Sequence, residues 1–207
     1  MTANPAENKA LQIFLFWTVG DSPLSRLIKR VSNPTHAGLG WSCEDGTMEY
    51  ADALFGKGFR AGKPMANLDE WLAAGKASKF RIDGNFHGNL KYAPWIATGT
   101  DRQLIIRWTK IYADDAEKIR QRALALDGQA AYYEWQLLQM WAFERLGLPV
   151  RRSPRKVVCS EIQARLVKDH YDFRTIGRPT FDHLRPQDTF EGFERLSKLS
   201  QHEEAYL

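Results

Sequence analysis

Cysteine is nearly absent from this chain: Cys43 and Cys159 are the only two among 207 residues. Two thiols cannot form a disulfide framework, and without secretion both are expected to be free. Long hydrophobic runs are missing as well. The first apolar stretch, Ile13 to Val19, is too short to span a bilayer, so no transmembrane segment is expected. Only Lys9 precedes it as a basic residue and no small-residue cleavage site follows, so no signal peptide is read. Histidine is scarce, and His87, His170, His183 and His202 show neither metal-ligand spacing nor a His-Glu-x-x-His pattern. Gly56-Lys57-Gly58 lacks the spacing and the following Ser or Thr of a phosphate loop. No metal and no cofactor is therefore expected. An arginine-rich arm, zinc-finger spacing and an aromatic RNA-binding motif are also missing, which sets nucleic acid aside as a partner. There is no internal repeat and no low-complexity segment.

The composition that remains is that of an ordinary globular protein, 43% hydrophobic and 26% charged. The net charge of +4 is mild and scattered. Its one cluster, Arg151, Arg152, Arg155 and Lys156, reads as a solvated loop. The length suits a single domain over 1–207, with 54–101 read as an insertion. A cytoplasmic protein, or one delivered by a phage or as an effector, fits the lack of an export signal.

Hydrophobic periodicity and turn residues predict the elements. Leu11 to Val19 reads as a buried strand, and Gly20-Asp21-Ser22-Pro23 ends it and opens a helix over 24–31. Strands are predicted over 36–41 and 47–53, joined as an antiparallel hairpin by Glu44-Asp45-Gly46. Gly56, Gly58 and Gly62 make the next stretch loop-like. A short helix over 67–72, a strand over 79–82 and a surface excursion over 84–101 follow. A strand over 103–108 leads to a helix over 114–126, opened by the capping signature Asp114-Asp115-Ala116-Glu117. Further helices are predicted over 133–146, 159–168 and 190–199. Helices flanking a small set of strands, without regular strand–helix alternation, make the chain α+β.

Cys159 stands where the last helical pattern but one begins. A thiol at a helix N-terminus meets unpaired backbone N–H groups and the positive end of the macrodipole, which favour the nucleophilic thiolate. The same N–H groups can hold an oxyanion. His36 opens a strand, and imidazole is the natural base for a thiol near neutral pH. Glu49 lies on the following strand. Pairing of even with odd positions puts Glu49 on the His36 face, where it can orient the ring, and turns Asp52 away. A tight turn at Asp45-Gly46 pairs Glu49 with Ser42, so a longer turn or a bulge is needed to bring Glu49 to His36. Trp135, Leu138 and Ala142 recur at helical spacing, most simply as a core face, alternatively as an acyl-chain groove.

Taken together these segments resemble the circularly permuted NlpC-type papain-like proteins, the YiiX-like group. The resemblance spans residues 11–190. Gly20-Asp21 follows an apolar strand; Thr35-His36-Ala37-Gly38-Leu39 looks like the family's histidine strand; Met48-Glu49-Tyr50-Ala51 looks like its next strand. Val158-Cys159-Ser160-Glu161 looks like its Cys-Ser-Glu helix start. Asp127-Gly128 with Tyr132-Tyr133-Glu134-Trp135, and Pro179 to Leu184, resemble the stretches before and after the cysteine. The resemblance implies a papain-like fold, a small antiparallel sheet packed on helices, with the order His-Glu-Cys. It implies Cys159 as nucleophile, His36 as base and Glu49 as orienting residue.

The function expected is thiol-dependent hydrolysis of an amide, in a peptide or peptidoglycan fragment, or of an acyl ester, through an acyl-enzyme on Cys159. Lipid acyl hydrolysis or acyl transfer is the alternative within the same chemistry. A non-catalytic binding or structural module that keeps the fold is the alternative outside it.

Overall fold

The computed structural model describes residues 9–20, 23–30, 32–54, 58–67, 81–84, 92–93, 101–129, 142–143, 146, 158–173 and 184–204. The expected helices over 67–72 and 133–146, most of the 54–101 insertion, and the segments Tyr132-Tyr133-Glu134-Trp135 and Pro179 to His183 lie wholly or largely outside these residues. So does the stripe of Trp135 and Leu138.

Strand β1 (Ala10–Gly20) runs through the middle of a six-stranded sheet. On one side it pairs with β2 (His36–Cys43), which pairs with β3 (Met48–Leu54) and then the edge strand β4 (Gly58–Pro64). On the other side come β8 (Asp101–Tyr112) and β6 (Arg81–Gly84). A small two-stranded sheet joins β5 (Ala66–Asn67) to β7 (Tyr92–Ala93). Helix α1 (Pro23–Ile28) follows β1, α2 (Ala113–Ala125) follows β8, and α3 (Cys159–Leu166) and α4 (Pro186–Glu204) complete the α+β arrangement.

The continuous apolar run of β1 is explained by burial on both of its faces. Ile13, Leu15 and Trp17 join the core shared with Ile119, Ile162, Leu166 and Phe193 of the helices. Phe14 and Phe16 alternate to the opposite face, where their rings lie over Gly40 and Gly38 of β2. A Cβ on Gly38 would come within 2.3 Å of the Phe16 ring, so β2 needs glycine there. Trp17 anchors α4: its indole N–H donates to Thr189 Oγ1 at 3.0 Å and its ring packs on Phe190.

Three expectations change. The glycine-rich stretch after 56 is a strand, not a loop. Gly58 and Gly62 take positive φ, and β4 pairs with β3 across a register shift between Tyr50 and Asp52, so the glycines shape an irregular edge instead of breaking it. The sheet is not purely antiparallel, because β6 runs parallel to β8.

The third change concerns the hairpin between β2 and β3. Cys43 N–H donates to Thr47 O, leaving three residues, 44–46, in the loop. Asp45 Oδ1 accepts from Thr47 N–H and Thr47 Oγ1, and Gly46 takes φ 79°. This three-residue loop with a left-handed glycine pairs odd with odd and even with even: Trp41 opposes Glu49 and Gly38 opposes Asp52. A single residue of register reverses every side chain, so Glu49 points away from the His36 face and Asp52 towards it.

Candidate active site

His36 is the first residue of β2 and Cys159 the first residue of α3. The loop before His36 is held on several sides. Thr35 donates from both its backbone and its hydroxyl to Thr18 O, and its hydroxyl accepts from Gly20 N–H. Ser32 Oγ donates to Pro34 O and accepts from Gln187 N–H at the start of α4. Ser160, beside the cysteine, donates to Leu184 O at 2.7 Å. The segment leading into α4 thus braces both the histidine loop and the cysteine helix.

Helix α3 begins without a side-chain cap; Val158, extended at φ −108° and ψ 146°, occupies the N-cap position. Its first turn therefore keeps the electropositive N–H environment expected from the sequence. Nearly all of this helix is buried, including Ser160, Glu161 and Gln163, and Arg165 is its exposed residue.

Cys159 and His36 lie close enough for the cysteine to act on the imidazole, raising its pKa. His36 Nε2 is turned to Asp52 Oδ2 at 3.5 Å, longer than a good hydrogen bond. Asp52 is fully buried and is clamped by Arg60, whose Nη2 lies 2.9 Å from Oδ1 and 3.2 Å from Oδ2, with Nε 3.2 Å from Oδ1. Burial by itself lowers the pKa of His36. The charge of Cys159 and the hydrogen bond and charge of Asp52 oppose it and prevail, raising it to about 10. The ring is thus favoured in its protonated form beside the thiol. Tyr50, next to Asp52, is pushed up to about 12 by burial and by that carboxylate.

Glu49, the expected orienting residue, does not reach this site. Its Oε2 accepts from Trp41 Nε1 at 2.8 Å and lies 3.5 Å from Nε of the buried Arg120. The carboxylate beside His36 is Asp52. The signal that would have found it is the Asp45-x-Thr47 turn with Gly46, which sets the loop length. Arg60 was missed because it sits in the glycine-rich stretch read as a loop. Cys43 lies at the far end of β2, where burial and the charge of Glu49 push its thiol up to about 11.

Among the described residues no group of three or more His, Cys, Asp or Glu could hold a metal ion, and no helix is long and apolar enough to cross a membrane. No family model, no curated protein and no solved structure matches the chain.

Proposed function

We propose that the protein is a thiol hydrolase in which Cys159 attacks a carbonyl, His36 carries the proton and Asp52, not Glu49, orients the ring. The meeting of a thiol at a helix start with an imidazole backed by a buried carboxylate carries this reading. The resemblance to permuted NlpC-type papain-like proteins points the same way, with Asp52 on the His36 face in place of the expected glutamate.

In the proposed reaction the thiolate sulfur bonds to the carbonyl carbon of an amide or acyl ester. The tetrahedral oxyanion forms near the N–H groups of the first turn of α3. The C–N or C–O bond then breaks, and His36 gives its proton to the departing amine or alcohol. Water, deprotonated by His36, attacks the thioester, releasing the acid and restoring the thiol. His36 is neutral in the acyl-enzyme and becomes imidazolium again on taking the water's proton, which it passes to the departing sulfur.

The burial of Cys159, 1% exposed, is the observation favouring the second reading, a non-catalytic module that keeps the fold. Mass spectrometry of peptidoglycan fragments and lipid extracts, incubated with the protein and with Cys159→Ala, decides between them and names the substrate class. New acid termini or free fatty acids that vanish in the variant support hydrolysis. Identical product spectra from both proteins would leave the module reading in its place.

A further inference from the structure

We infer that Gln163 is a positioning residue that sets the approach of Cys159 to His36; this rests on the hydrolase reading above. Gln163 is fully buried on α3. Its Nε2 donates to Gly38 O at 2.7 Å and lies 3.5 Å from Phe16 O. Its Oε1 is buried with no hydrogen-bond partner. Exchanging O and N in this amide would aim an oxygen at two carbonyl oxygens, so the chemistry of the neighbours fixes the orientation. An acceptor left unpaired in the interior is unfavourable, and an apolar side chain of the same size would avoid that penalty. Packing alone therefore does not explain an amide here.

Its place in the fold does. Gln163 follows Cys159 by four residues, and Gly38 follows His36 by two. Four helical residues advance about 6 Å. Two strand residues advance about 6.7 Å. The rises nearly match, so α3 and β2 carry two successive cross-links: thiol to imidazole, then amide to carbonyl. The second fixes how far α3 slides along β2. The first has no such rigidity, since the contact of His36 with Asp52 is long. A displacement of a fraction of an ångström along the strand would separate sulfur from ring, a change to which reacting groups are sensitive.

The test follows alkylation of Cys159 by iodoacetamide, small enough for a covered thiol, together with hydrolysis of p-nitrophenyl acetate, in wild type, His36→Ala, Gln163→Met and Gln163→Glu. Gln163→Met keeps size and loses the donor. It should alkylate roughly tenfold more slowly and lower kcat with little change in KM. Gln163→Glu should approach wild type as pH falls from 9 to 6. Protonated, its O–H can again donate to Gly38 O; ionised, it faces carbonyl oxygens. Wild-type rates in Gln163→Met, with His36→Ala still slow, would overturn the positioning role and leave the hydrolase reading standing. His36→Ala as reactive as wild type would remove both. If Gln163→Met does not fold, Gln163→Glu decides: a ratio to wild type that is flat with pH overturns the inference.

Discussion

The two ends of β2 carry nearly the same kinds of side chain. One end holds Cys159, Asp52, Arg60 and Tyr50; the other holds Cys43, Glu49, Arg120 and Trp41. At the first, the imidazole of His36 lies between the thiol and the carboxylate, and both favour its protonated form. At the second no imidazole intervenes, and the carboxylate acts on the thiol as a like charge that opposes ionisation. Arg120 and Trp41 there tie Glu49 into a structural network with Glu117, which also receives Ala10 N–H. The order in which the groups touch, not their kinds, separates a reactive centre from a cross-brace.

Removing the sulfur tests the comparison most severely. Cys159→Ala should lower p-nitrophenyl acetate hydrolysis roughly 10³-fold or more, while Cys43→Ala stays near wild type. Equal losses in the two variants would erase the distinction between the ends.

His36→Ala comes next. Iodoacetamide labelling of Cys159 at pH 7 should slow at least about tenfold, with Cys43 as control in the same peptide map. The stability contribution of the ring has a defined sign. Its pKa is raised on folding, so the contribution is fully present below about 6.5 and is lost as pH rises towards about 10. The melting-temperature gap between wild type and His36→Gln should narrow over that window. A gap that widens with pH would contradict protonation of His36 in the fold.

The carboxylates give a smaller, paired effect. Asp52→Asn should shift the alkaline limb of the pH–rate profile to lower pH, because a charge that raises the imidazole pKa is gone and Arg60 remains. Glu49→Ala should leave that limb in place and cost about 1–3 kcal/mol in urea unfolding, since Trp41 Nε1 loses its acceptor. The reverse pattern would restore Glu49 as the orienting residue.

Cys43→Ser should show the least change in turnover. A thiol raised to about 11 is ionised at pH 7 in only roughly one molecule in 10⁴. Fast labelling of Cys43 in the native protein would break the assignment of this end as structural.

Local patterns already place His36 at a strand start and Cys159 at a helix start. Apolar runs, turn residues and helical periodicity act between neighbours in the chain, and β1, β2, β3, α2 and α3 follow from them within a few residues. Glu49 and Asp52 show where that reach stops. Both lie on a strand the sequence marks clearly, yet which of them faces His36 depends on whether the hairpin loop holds two residues, 45–46, or three, 44–46. Parallel pairing of β6 with β8, recruitment of the glycine-rich β4 to the edge, and the burial of Gln163 against Gly38 are likewise decided in three dimensions. Each is a contact between segments far apart in the chain, selected by the packing of the whole core and not by the propensities of the residues that make it. The sequence by itself determined which groups have the chemistry; the tertiary structure decided which of them touch, because a one-residue change of register reverses a strand's faces at no cost to its local pattern.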